Sequence, residues 1–176
     1  MKNEENFRRF VELRLGVSDM DIELSDRGET LHATDLMLTQ TRDTLEIFSR
    51  ALDPELYDRQ PFLDGIQQLC FRNRKARIRI LVQEPRSPVK RGHRLIELGR
   101  RLSSSIEIRQ PHPDYHRYNE AFMIADECGF IHRPLADLFD GTANFCNPVE
   151  ARRKVDFFTE VWERSESHPE FRRLHI

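Results

Sequence analysis

Apolar positions along this chain change period several times, and each change predicts an element. "ARIRILVQE" places Ile78, Ile80 and Val82 on one face at period two, a strand. "TLEIFSR" alternates Leu45, Ile47 and Ser49 with their neighbours in the same way, and "SIEIRQ" reads as a shorter strand. Between the first two, Phe62, Ile66, Leu69 and Cys70 fall at helical spacing behind Pro61, whose missing N–H costs nothing in a first helical turn. Between the second and third, "HRLIELGRRL" carries Leu95, Leu98 and Leu102 on one stripe. Three strands separated by two helices make a βαβαβ unit. Crossovers of that length favour parallel pairing with a right-handed connection.

Other segments follow from local signals. "MDIEL" reads as an edge strand, and "FRRFVELRL" suits either a short helix or a strand. "ATDLMLTQTRD" predicts a helix starting near Thr34 or Asp35. "ALDPELYDRQP" and "RSPVKRG" read as loops because of their prolines. "EAFMIAD" and "GFIHR" predict a tight hairpin. Asn147, Pro148 and Glu150 mark a helix start, and Val155, Phe158 and Trp162 its buried stripe to about Ser165. The tail "HPEFRRLHI" is short enough to dock back on the domain.

Composition narrows the class. At 176 residues, with 33% charged residues and a mean hydropathy of -0.66, the chain suits one soluble domain. No apolar run approaches the roughly 18–20 residues of a membrane span, and the polar N-terminus does not resemble a secretory signal. Cys70, Cys128 and Cys146 form no CxxC pair, so reduced thiols and a cytoplasmic location are expected. The pair His112 and His116 flanks Pro113, which argues against a helical metal site. No metal and no cofactor are expected. Net charge is -2, yet residues 71–110 hold twelve Lys/Arg against three Asp/Glu. Arg72, Arg74, Lys75 and Arg77 are therefore candidates for polyanion binding, beside the plainer reading of a solvated face.

One stretch raises a chemical question. "NEAFMIAD" runs from Asn119 to a lone carboxylate, Asp126, and is followed by Gly141-Thr142-Ala143-Asn144-Phe145. In order with the strands and helices above, this resembles one repeat of the phospholipase D superfamily, over roughly residues 30–165. That superfamily carries His-x-Lys-x4-Asp on a strand, followed by Gly-Ser/Thr-x-Asn-Phe/Leu. The resemblance implies an α/β fold, a mixed sheet flanked by helices, present as one repeat. It implies a phospholipase D-like domain over residues 31–176, with residues 1–30 as an extension packed on it.

Departures from the pattern decide the expected chemistry. In the superfamily the His attacks phosphorus and the Lys stabilises phosphate charge. Here Asn119 stands in the His place and Ala121 in the Lys place. An amide is a very poor nucleophile, and Ala121 supplies no charge where charge develops. Losing one such group commonly costs about 10²–10³ in rate. Shifting the frame to His116 puts Tyr118 and Met123 in the Lys and Asp places, which fails. The stretch 127–140 is also longer than the superfamily's usual spacing.

The expectation is therefore a non-catalytic binding or assembly module, similar to small bacterial single-repeat domains of this type. A vestigial site would be drawn from Asn119, Asp126, Thr142, Asn144, His116, His132 and Arg133, with Asp126 more readily explained as a turn cap. Rival readings are a divergent phosphodiesterase or nuclease using His116 or His132, and a nucleic-acid-binding protein that does not cleave. The resemblance further implies a possible homodimer, with Asn119, Thr142 and Asn144 toward the shared surface. The extended 127–140 hairpin folding over the former site, in a monomer, is the competing arrangement. Domains of this type can also accompany an N-acetyltransferase domain, one candidate for an otherwise unknown protein partner.

Overall fold

A computed structural model describes residues 8–172, and all structural statements concern these. Seven strands form one sheet in the order β1-β7-β6-β5-β2-β3-β4. The βαβαβ unit is β2 (Thr44–Ser49), β3 (Arg77–Val82) and β4 (Ile106–Arg109), paired in parallel. Against β2 the chain adds β5 (Ala121–Ala125), β6 (Gly129–Arg133) and β7 (Gly141–Asn144), all antiparallel, and β1 (Ile22–Leu24) closes the edge on β7.

Helices cover both faces. On one side lie α1 (Arg27–Gln40), α3 (Gln60–Arg72) and α5 (Arg94–Arg101). On the other lies α6 (Pro148–Glu163), whose Phe158, Val161 and Trp162 pack on Phe48, Phe122 and Phe130. This two-sided cover explains why Leu45 to Ser49 are all buried, where alternation suggested a half-buried strand. It also buries Glu46, whose carboxylate meets Arg79 at 3.0 Å. Arg79 in turn stacks over the Phe158 ring at 5.1 Å.

Local signals placed several elements well. Asn147 accepts the Glu150 N–H at 3.1 Å at the head of α6, with Pro148 in the first turn. Pro61 sits in the first turn of α3. Other boundaries differ. Helix α1 begins at Arg27, capped by Asp26 Oδ1 on the Glu29 N–H, not near Thr34. Its first turns bury Glu29 and Thr30, polar residues that hide the helical pattern. The two proline-rich loops each hold a one-turn helix, α2 (Pro54–Tyr57) and α4 (Arg86–Lys90). Arg9–Leu15 is neither helix nor strand, although Phe10 and Leu13 are buried in the core. Met1–Phe7 and the last four residues of the tail lie outside the described residues; the rest of the tail docks as α7 (Pro169–Arg172), with Phe171 buried. Among the described residues, no helix is long and apolar enough to cross a membrane.

Candidate functional site

Sheet register sets what each motif residue can reach. Ala121 opens β5 directly opposite Arg133 at the end of β6, so their side chains share a face. This end of β5 lies beside the C-terminal end of β2, where α2 follows. Arg133, a candidate for the vestigial site, is buried, its side chain 3% exposed. Its guanidinium donates to Asp53 Oδ2 at 2.8 Å and to the Leu138 carbonyl at 2.9 Å. The Phe139 ring lies 5.8 Å from it.

Loop 134–140 is tied down over this point. The Ala136 N–H donates to the Asn119 carbonyl at 2.7 Å, and Thr30 Oγ1 donates to the Phe139 carbonyl at 2.7 Å. Asn119 is exposed at the rim, its side-chain oxygen accepting from Arg50, whose guanidinium also meets Asp137 at 3.4 Å. Between Thr30, Tyr57, Ala121 and Arg133 only about 10 Å³ of open volume remains. That is scarcely room for one water. Burial pushes the Tyr57 hydroxyl up to about 12, so it stays neutral.

Asp126 lies at the opposite end of β5. Its carboxylate accepts the N–H groups of Arg42, Asp43 and Thr44 at 2.8, 2.8 and 2.9 Å. With Asp126 at φ 51° and Glu127 at φ 53°, the turn is the left-handed kind that joins tight hairpins. The carboxylate thus fixes where β2 begins.

Thr142 and Asn144 do not join Ala121. Thr142 lies opposite His132 and Asn144 opposite Phe130, on the α6 face. Asn144 is buried, donating to Asp21 at 2.8 Å and accepting the Cys146 N–H at 2.9 Å. On that same face His132 Nε2 meets Glu120 Oε2 at 2.6 Å, and the Tyr118 hydroxyl donates to Glu120 at 3.2 Å. Burial first, then Glu120, raises the Tyr118 pKa. Burial lowers that of Lys154, which sits 5.1 Å from the Phe130 ring. His116 is exposed, at the end of the 3₁₀ turn Pro113–Tyr115 that Tyr115 and Asp114 tether to α6. Sequence reasoning missed Asp53, Arg50, Glu120 and Lys154. None carries a local signal, because only register and loop closure bring them to Asn119, Arg133 and His132.

A second polar region lies at the Asp126 end. Arg72, Arg74, Lys75 and Arg77 are exposed along the turn from α3 to β3. Arg14, Arg42 and Arg72 line a cleft of about 560 Å³ with Asp126 and Cys128. None of these six cations forms an ion pair with another described residue. Phe71 beside them is 70% exposed.

A family model described as "Domain of unknown function (DUF7931)" matches residues 26–174. No curated protein matches the chain. Among solved structures, TrmBL2, an archaeal chromatin protein with a novel mode of DNA binding, is similar over 95% of this chain and 61% of its own, with a TM-score of 0.64 and 14% identity. Nuc from Salmonella typhimurium, a phospholipase D family member, is similar over 85% of this chain and 99% of its own, with a TM-score of 0.56 and 11% identity. NucT from Helicobacter pylori is similar over 85% and 98%, with a TM-score of 0.56 and 9% identity. At these identities the likeness is one of fold, and the fold is phospholipase D-like.

Proposed function

We propose that this chain, which belongs to the DUF7931 family, is a non-catalytic phospholipase D-like binding module. The observation that carries the reading is the filled space at Ala121. A phosphodiester needs a nucleophile and a cation with room between them. Asn119 is a neutral amide, and the nearby cation, Arg133, is already neutralised by Asp53 and buried under loop 134–140. The remaining volume of about 10 Å³ excludes a phosphate group. Incubation with bis(p-nitrophenyl) phosphate should give no turnover above a buffer blank. Turnover that His132→Ala abolishes would refute the reading, and would favour a rearranged site around the His132–Glu120 pair.

The same loop covers the surface a second repeat would use, which supports a monomer over a homodimer. Gel filtration with light scattering should return a mass near 21.0 kDa. A stable mass of twice that value would favour pairing of two chains through this end.

A second reading concerns what the module binds. The six cations without carboxylate partners among the described residues, together with exposed Phe71, support contact with a phosphate-rich polymer at the Asp126 end. The DNA-binding character of the longer TrmBL2 is consistent with it, although this chain spans 61% of that length. Fluorescence anisotropy with a single- or double-stranded oligonucleotide tests it. Four phosphate contacts predict a log–log salt slope of roughly -3, reduced by the combined Arg72→Ala and Arg74→Ala changes. Absence of binding at low ionic strength would rule it out.

A further inference from the structure

The three cysteines are separated in sequence but not equally in space. Cys70 is buried, whereas Cys128 and Cys146 are partly exposed, and all three are free thiols. Phe130 faces Asn144 across the β6–β7 ladder. Just beyond that pair, Cys128 and Cys146 follow on the two chains where they leave the ladder. Backbone contacts hold this end together: the Asn147 N–H donates to the Cys128 carbonyl at 2.9 Å, and the Cys146 N–H to Asn144 Oδ1 at 2.9 Å. The Cys146 thiol is near enough to that of Cys128 to raise its pKa, and the Gly16 N–H donates to the Phe145 carbonyl at 2.8 Å. Cys128 also lines the cleft formed with Arg14, Arg42 and Arg72, and Cys146 is partly exposed, so small reagents reach both.

We propose that Cys128 and Cys146 are a reversible redox pair, oxidised to an intramolecular disulfide by a peroxide and returned by a small thiol. The Cys146 thiolate attacks one peroxide oxygen. The O–O bond breaks, leaving a sulfenic acid on Cys146 and a hydroxide that takes up a proton as water. The Cys128 sulfur then attacks the Cys146 sulfur. The S–O bond breaks, and the departing oxygen leaves as a second water carrying the Cys128 proton. Two thiols are oxidised and one peroxide is reduced to two waters. Two equivalents of thiol reverse the bond through a mixed disulfide. Cys128 is assigned the resolving role because burial first, and then the neighbouring Cys146, push its thiol up to about 11.

This bond has a structural consequence. It closes a ring of residues 128–146 containing all of β6, loop 134–140 and β7. That ring includes Arg133 and the loop that covers Ala121. A cross-link restricts the unfolded chain, so the oxidised form holds the cover more firmly.

Oxidation of the whole chain with stoichiometric hydrogen peroxide, then alkylation with N-ethylmaleimide in denaturant, tests this. Trypsin leaves both cysteines in one peptide, because Arg133 precedes Pro134. Cleavage at Asp137 and Asp140 is therefore needed to separate them. The expected product is one cross-link joining the Cys128 and Cys146 peptides, with Cys70 alkylated. The thermal midpoint should rise by about 5–10 °C and fall again with dithiothreitol. In Cys146→Ser neither the cross-link nor the shift should occur. Alkylation of both Cys128 and Cys146 after treatment, a disulfide through Cys70, or oxidation of each thiol separately without a bond would overturn the proposal.

Discussion

Cutting the Arg133–Asp53 pair from either side should have unequal costs, because the two partners are not equally buried. Arg133 is 3% exposed and Asp53 33% exposed. Asp53→Ala leaves a buried guanidinium with the Leu138 carbonyl as its remaining acceptor. Removing one partner of a buried pair costs about 3–5 kcal/mol, and the partial exposure of Asp53 places this case at about 3 kcal/mol. Arg133→Met removes the buried charge itself. The Asp53 carboxylate then turns to water, and the loss is chiefly the bond to the Leu138 carbonyl, about 1 kcal/mol, since the methionine stem fills most of the space. Asp53→Ala should therefore be the more damaging by about 2 kcal/mol. Adding Arg133→Met to Asp53→Ala should restore stability, which is non-additivity of a kind only coupled residues show. Urea denaturation followed by circular dichroism gives the three values. Hydrogen exchange should show faster amides at Ala136 and Leu138 in Asp53→Ala. If Arg133→Met proves as costly as Asp53→Ala, or the double variant is simply additive, loop 134–140 is not held by this pair and the case for a sealed site fails.

Three further outcomes follow from the same structure. Glu127→Gly relieves a non-glycine residue at φ 53° and should raise the unfolding free energy by about 1 kcal/mol, measured by urea titration. Arg79→Ala strands the buried Glu46 and should cost about 3 kcal/mol, whereas Glu46→Gln, which keeps an acceptor for Arg79 without a charge whose pKa burial already raises, should be nearly neutral in thermal scans. Burial lowers the pKa of His93, which accepts the Leu95 N–H as a neutral cap. The folded state therefore binds its proton less readily than the unfolded chain. The stability so contributed is complete above about pH 6.5 and is lost as pH falls through that value toward the folded pKa. His93→Asn should flatten this part of a stability–pH curve measured by urea unfolding, and an unchanged slope would contradict the assignment.

Residues close in sequence declared themselves. Pro61 and the Asn147-Pro148-x-Glu150 run mark helix starts because capping is settled within one turn. Ile78, Ile80 and Val82 mark β3 because strand period is a property of neighbours. The substitutions at Asn119 and Ala121 were equally plain, since the chemistry of an amide or a methyl group does not depend on the fold. Where local and tertiary preferences conflict, the sequence misled. Glu29 and Thr30 look like loop residues but are buried in α1, paired to Ser25 and Phe139. Gly141–Asn144 has no strand-like composition and forms β7 because β1 and β6 supply partners on both sides. The meaning of Arg133 lay still further from its own segment. It sits 80 residues from Asp53 and directly across the sheet from Ala121, so only the closed register turns an apparent loop charge into the group that fills the site. The meeting of Cys128 with Cys146 has the same cause: antiparallel strands return distant residues to one another, and no spacing along the chain records it.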